Sequence, residues 1–315
     1  MSLRREVLIA IVGPTAVGKS HFAICLAKEF SGEIVNADSR QIYRHMDIGT
    51  AKPGKDEFAR VSHHLFDIIN PDENFSLADY RELAFRTIRD IQARGRVPFL
   101  TGGSGQYVWA VIENWQIPRV PPDPDIRKKL EERAAKESGK ETLYRELEQI
   151  DPESATHIGH FNTRRIIRAL EVYYTCGIPL SKLQTKGEPL FDTLIIGLTE
   201  DRQKLYAKID RRVDEMVKCG LTAEVENLSK IGYDLSLPAM SAIGYKQIGL
   251  YLKGEADLDT TVRRVKFETH RYVRQQYNWF HLKDARIRWF YVDKDPYKEI
   301  KAVVAGFLNK GRDNG

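Results

Sequence analysis

At 315 residues, 42% hydrophobic and 30% charged, the chain suits a globular protein of one large or two modest domains with a sizeable core. Its formal net charge of +5 is a mild excess, too small to mark a nucleic-acid binder by itself. The three cysteines, Cys25, Cys176 and Cys219, lack zinc-type spacing and read as free thiols of a cytoplasmic protein, and no apolar run approaches the length of a membrane span.

The first residues, Met1-Ser2-Leu3-Arg4-Arg5, lead straight into an apolar run, so no signal peptide is expected. Residues 7–12 read as a buried parallel strand and residues 19–30 as its crossover helix. Between them lies Gly13-Pro14-Thr15-Ala16-Val17-Gly18-Lys19-Ser20, which has the spacing of a phosphate-binding loop. The chemistry needs these residue types. Glycine lets backbone N–H groups turn inward around anionic oxygens, and the following helix aims its positive end at the same spot. Lys19 adds a mobile charge and Ser20 a hydroxyl for Mg2+.

Residues 33–37 form the next strand, ending on Asp38-Ser39-Arg40-Gln41. In an open α/β sheet the ligand site lies at the carboxyl ends of the strands, so Asp38 is expected beside the phosphate loop. Residues 44–76 are loop-rich, with Gly49, Pro53, Gly54 and Pro71. Helical periodicity covers residues 76–93, with Ser76 as the N-cap and Asp79 three residues on. A third strand at 97–101 runs into a second glycine-rich strand end, Gly102-Gly103-Ser104-Gly105.

Prolines at 118, 121, 122 and 124 then mark a boundary. Charged helical patterns follow at 125–138, 141–150, 152–157 and 163–175. A strand returns at 191–198, then helices at 202–219, 223–230, 241–252 and 260–280, and a late strand at 288–292. The fold class is α/β. A parallel-sheet core of residues 1–118 and 188–315, with C-terminal helices and the late strand, is interrupted by an all-helical insertion at 119–187.

Asp38 admits three readings from the residues alone: a strand-end turn, an outer-shell Mg2+ ligand, or a general base beside a bound phosphate chain. Ser104 is a plain turn residue or a hydroxyl for a phosphate oxygen or substrate amine. Arginines cluster on three helices: Arg164, Arg165 and Arg168; Arg211 and Arg212; and Arg263, Arg264, Arg271 and Arg274 with Lys266 and His270. Such runs are solvated helix faces or contacts to a nucleic-acid backbone, and Arg212 could instead turn inward onto a diphosphate.

Several segments resemble the bacterial tRNA dimethylallyltransferase family. They are the phosphate loop, Asn36-Ala37-Asp38-Ser39-Arg40-Gln41-Ile42-Tyr43, Met46-Asp47-Ile48-Gly49-Thr50-Ala51-Lys52-Pro53, His63-His64-Leu65-Phe66-Asp67, Gly102-Gly103-Ser104-Gly105-Gln106-Tyr107, Arg164-Arg165-Ile166-Ile167-Arg168-Ala169-Leu170-Glu171-Val172 and Ala242-Ile243-Gly244-Tyr245-Lys246-Gln247. They run in order from about residue 8 to about residue 292. The resemblance implies a P-loop NTPase-like core whose loop grips a diphosphate leaving group instead of ATP. It implies transfer of a dimethylallyl group from dimethylallyl diphosphate to N6 of the adenosine 3′ of the anticodon, in tRNAs reading codons that begin with U. Mg2+ is the implied cofactor and the anticodon stem-loop the implied partner of the insertion; apart from the resemblance, the protein is expected in the cytoplasm with a monomer as the default.

Carried over by position, Asp38 is the base and Ser104 stands for the hydroxyl at the donor and tRNA site. Gly13 to Ser20 hold the diphosphate, with Ser20 on Mg2+ and Arg212 reaching in from the far side. Asp38, Ser39, Arg40, Gln41, Ser104, Arg127, Arg164, Arg165, Ile166, Ile167 and Arg168 match tRNA-contacting positions. The chain departs at Val17 and Ser20, where Ser and Thr are frequent, and at Ser104, which replaces the commoner Thr. Gln275-Gln276-Tyr277-Asn278-Trp279 stands for the family's Arg-Gln-x-Thr-Trp, which removes one basic group. No zinc-finger extension of the eukaryotic kind is expected. A small-molecule kinase using ATP and an RNA-binding protein with a nucleotide-sensing loop are the alternatives.

Overall fold

The computed structural model describes residues 6–117 and 120–313. The expectations for residues 1–5, for Pro118 and for a boundary between 118 and 119 lie outside these. The main sheet is built from β1 (Glu6–Val12), β2 (Gly32–Asn36), β3 (His63–His64), β4 (Val97–Thr101), β7 (Phe191–Thr199) and β8 (Ile287–Tyr291). Two-residue strands β5 (Trp115–Gln116) and β6 (Thr185–Lys186) pair separately and antiparallel. The main sheet runs in the order β3-β2-β4-β1-β7-β8, with every pairing parallel. Parallel sheets are covered on both faces, which is why the central strands read as unbroken apolar runs. Leu8, Ile9, Ala10, Ile11 and Val12 are all fully buried.

The chain divides into two compact units, one of Met1–Ile112 with Pro189–Gly315 and one of Glu113–Glu188. In the first, helix Lys19–Glu29 buries Ala23, Ile24, Leu26 and Ala27. Ile9, Ile11, Phe99, Ile196 and Leu198 belong to the same apolar cluster. Helix Leu77–Ala93 starts at Ser76, whose hydroxyl accepts the Asp79 N–H while the Asp79 carboxylate accepts the Ser76 N–H at 2.9 Å, closing a capping box. The second unit packs helices Pro124–Ala134, Gly139–Ile150, Pro152–Ile158 and Thr163–Cys176 around Leu130, Leu143, Leu147, Ile166 and Leu170.

Helices Gly105–Ile112 and Tyr297–Asp313 add to the sequence reading. The residues expected as a helix from 241 divide into a short 3-10 turn, Ala239–Ser241, and helix Tyr245–Leu252.

Candidate active site

The site lies at the carboxyl ends of β1, β2 and β4, where parallel strands leave their backbone ends open to ligands. After β1 the chain turns at Gly13, with φ at +141°. A Cβ there would lie 2.3 Å from the Leu198 carbonyl oxygen of β7, so no other residue fits. Ala16 and Gly18 follow with φ at +64° and +101°, a backbone that gathers N–H groups into a concave nest. Gly18 caps helix Lys19–Glu29 with no side-chain bond, which leaves the first helical N–H groups for an anion.

Lys19 donates to the Pro14 carbonyl oxygen at 2.7 Å. Burial of its ammonium lowers the pKa to about 8; the nearby Asp38 carboxylate opposes this and Arg212 adds to it. Arg212, on helix Arg202–Lys218, is half-buried and reaches the Thr15 hydroxyl at 3.4 Å. Burial lowers its pKa too, against the pull of Asp38, Glu215 and Glu57.

β2 ends in a turn built by Asn36. Its side-chain oxygen accepts the Asp38 N–H at 2.9 Å, and its amide donates to the carbonyl oxygens of Asp38 and Leu65 at 3.1 and 3.0 Å. One Asp38 carboxylate oxygen accepts the Arg40 N–H at 2.9 Å, so the strand-end turn reading of Asp38 is realised. The turn also carries the carboxylate into the site. The Ser104 hydroxyl accepts the Ser39 N–H at 2.9 Å and donates to the Ser39 hydroxyl at 3.2 Å, tying the β4 end to the β2 end. Gln41 donates to the carbonyl oxygens of Thr50 and Ala51 at 3.0 and 3.1 Å. The Arg40 guanidinium bonds the Pro238 carbonyl oxygen at 3.0 Å and the Ser241 hydroxyl at 3.3 Å.

Two cavities meet at this centre. One of about 380 Å³ holds Lys19, Ser20, His63, Thr101 and Lys208. The other, of about 370 Å³, holds Arg40, Ile209, Val213, Ile243 and Tyr272. Thr15, Ala16, Asp38, Thr50, Ala51 and Arg212 line both. The arrangement can bind a phosphate chain on one side and bring a carboxylate to whatever enters from the other.

The expected RNA contacts separate into groups. Arg164 and Arg165 are exposed. Arg127 and Arg168 both bond the fully buried Glu171 carboxylate at 2.8 Å, and Arg168 also donates to the Val120 carbonyl oxygen at 2.6 Å. Ile166 and Ile167 are 0% and 7% exposed and pack in the core of the helical unit, where their side chains support the helix that carries Arg164 and Arg165.

Sequence reasoning passed over Lys52 and Glu224, which shape the loop after β2. The Lys52 ammonium sits between the Asp47 and Asp67 carboxylates, 2.5 Å from each. The Glu224 carboxylate accepts the N–H groups of Asp47, Ile48 and Gly49. Lys52 lies in a loop-rich stretch with no periodicity, and Glu224 lies on helix Leu221–Lys230, whose pattern shows a helix but not the backbone groups its carboxylate meets.

The IPP transferase family model matches residues 41–283. A tRNA dimethylallyltransferase of Chloroflexus aurantiacus is 52% identical over 275 residues, covering 87% of this chain and 93% of that one. The crystal structure of the full-length tRNA isopentenylpyrophosphate transferase from Bacillus halodurans aligns with a TM-score of 0.72 at 41% identity, covering 98% of this chain and 99% of that one. A eukaryotic dimethylallyltransferase, seen in crystallographic snapshots acting on tRNA, aligns with a TM-score of 0.79 at 26% identity, covering 97% of this chain and 80% of that one. With a family model spanning most of its length and relatives of this identity, the chain belongs to the IPP transferase family, the tRNA dimethylallyltransferases.

Proposed function

We propose that the protein moves a dimethylallyl group from dimethylallyl diphosphate to N6 of the adenosine 3′-adjacent to the anticodon, in tRNAs reading codons that begin with U, and releases diphosphate. The observation that carries the reading is the meeting of two cavities at Asp38, Thr15 and Arg212, with Gly18, Lys19 and Ser20 of the anion cradle on one side only. The family's tRNA dimethylallyltransferases support it over ATP-dependent phosphorylation. The reading takes the protein as a cytoplasmic monomer.

Adenine N6 is a weak nucleophile because its lone pair is delocalised into the ring. The Asp38 carboxylate takes its proton as the new C–N bond forms. On the donor the C–O bond breaks toward an allyl cation, and its electron pair goes to the diphosphate. The loop N–H groups from Ala16 to Ser20, the Lys19 ammonium and the Arg212 guanidinium stabilise that charge where it develops. The base must leave its stack to reach Asp38, so it enters flipped. Ser39, Arg40, Gln41 and Ser104 form the rim it passes, and arginines of the helical unit hold the stem-loop phosphates.

Mg2+ fits this donor set. Ser20 offers one hard hydroxyl oxygen in the first cavity, which Asp38 also lines, and Mg2+ keeps waters and phosphate oxygens for most of its shell. Among the described residues no group of three or more His, Cys, Asp or Glu could hold a metal ion. When bound, Mg2+ supplies positive charge to the diphosphate oxygens, and Ser20 would hold it.

The test is incubation with unmodified tRNA and labelled dimethylallyl diphosphate, without any nucleoside triphosphate. Label enters the RNA with the wild type. Asp38→Asn cuts turnover on the order of 10²–10⁴-fold while tRNA affinity stays within about threefold. Absence of label in the RNA overturns the reading.

A further inference from the structure

The long late helix, Leu258–Trp279, reaches into the site with a side chain that the chemistry above does not use. Gln276 is 2% exposed. Its carboxamide oxygen accepts the Thr15 N–H at 2.8 Å, and its carboxamide nitrogen donates to the Gly103 carbonyl oxygen at 3.1 Å. One planar group thus spans the phosphate loop after β1 and the glycine turn after β4. Gly103 is shaped for the contact, since a Cβ there would lie 2.2 Å from the Gln276 nitrogen. The next residue, Ser104, holds the Ser39 N–H and with it the turn that carries Asp38.

We infer that Gln276 is a positioning residue: it fixes the phosphate loop in its anion-binding shape and sets the spacing between that cradle and the Asp38 carboxylate. The inference rests on the proposed function for its link to Asp38, while the effect on the anion cradle stands apart from it.

The physical case is one of satisfaction and alignment. The Thr15 N–H belongs to Gln276, so the nest that receives the diphosphate starts at the N–H of Ala16. Without this acceptor the part-buried Thr15 N–H turns inward for another partner and takes the Thr15 hydroxyl with it. That hydroxyl lines both cavities and is the one Arg212 reaches. A shift of about 1 Å between reacting groups costs on the order of 100-fold in rate. A buried network of this kind acts through all of its members, so losing either half of the bridge disturbs the whole.

Two variants of the full-length protein test this. Gln276→Leu keeps the size and removes both bonds. Gln276→Glu keeps an acceptor for Thr15 and loses the donor to Gly103 at neutral pH, but regains it when the carboxyl group is protonated. For Gln276→Leu, calorimetry should show pyrophosphate binding at least tenfold weaker. Single-turnover transfer should be slowed on the order of 100-fold, with tRNA affinity within about threefold. Burial against the Gly103 carbonyl oxygen favours the protonated form of the new carboxyl group, so for Gln276→Glu activity relative to wild type should climb as the pH falls from 8 to 6, a rescue that loss of packing alone cannot produce. Should Gln276→Leu fail to fold, the pH-dependent ratio for Gln276→Glu decides alone.

Pyrophosphate affinity and transfer rate within threefold of wild type in a folded variant overturn the inference, as does a flat Gln276→Glu ratio. If the wild type transfers no label, the proposed function falls, and the pyrophosphate measurement still judges the role of Gln276 in the cradle.

Discussion

Lys19 shows how much one residue's surroundings decide. Its ammonium is held in a buried site against the Pro14 carbonyl oxygen, with a pKa lowered to about 8 chiefly by burial. Its folded pKa lies below the ordinary lysine value, so the unfolded chain binds more protons between about pH 8 and 10.5. Folding stability from this group therefore rises with pH across that window. Anion binding runs the other way. A diphosphate supplies the negative charge that the site lacks and draws a proton back onto Lys19. Calorimetry with pyrophosphate should give a flat contribution from Lys19 below pH 8 and a loss of up to about tenfold per pH unit above it. Lys19→Met should bind weakly throughout and lose that extra slope. An identical slope in wild type and variant would remove Lys19 from the anion site. The sequence carried the identity of this lysine openly, through loop spacing. It could not carry the depressed pKa, which comes chiefly from burial by other elements, with Arg212 adding to it and Asp38 opposing it.

Elements were legible where their periodicity was clean. β1 and β2 read as buried strands and Ser76–Asp79 as a helix start because pattern and cap chemistry agreed. Helix Gly105–Ile112 did not, because seven of its eight residues are buried and no polar face gives it a period. Gln276 was equally hidden: its partner Thr15 lies 261 residues away, and no local signal joins them. The helical unit makes a testable case at this scale. The fully buried Glu171 joins helix Thr163–Cys176 to helix Pro124–Ala134 by accepting from Arg127, Arg168 and the Asp123 N–H. Burial alone would push its pKa up. The two guanidiniums and the backbone donor outweigh burial and hold it below the ordinary glutamate value. A carboxyl with a lowered folded pKa stabilises the fold above its unfolded pKa and loses that contribution as the pH falls through the folded value. Glu171→Gln should cost about 2 kcal/mol, less than a fully sealed pair because both arginines are partly exposed. Urea unfolding read at pH 7 checks it. At acid pH, where Glu171 is protonated, the variant and wild type should converge.

At the scale of the whole molecule, the two substrates of the proposed reaction make separable demands. In the proposed reaction the diphosphate falls to backbone N–H groups, Lys19 and Arg212, all within the unit formed by Met1–Ile112 and Pro189–Gly315. The helical unit, Glu113–Glu188, carries Arg164 and Arg165 exposed at the start of helix Thr163–Cys176, while Arg127 and Arg168 are engaged with Glu171. An exposed arginine on a phosphate releases a counterion on binding, so its removal shows in the salt dependence of affinity. Arg164→Glu combined with Arg165→Glu should weaken tRNA binding and flatten the plot of log affinity against log salt by about 1.5 units. Pyrophosphate affinity should not move, because no group of its cradle has changed. Filter binding across a salt series measures the first effect and calorimetry the second. A variant that loses pyrophosphate affinity as well would mean that the charges act through the fold. One that keeps the wild-type salt slope would mean that the RNA docks elsewhere. Only a steepness change confined to tRNA assigns the anticodon stem-loop to the helical unit and leaves the core unit to the donor.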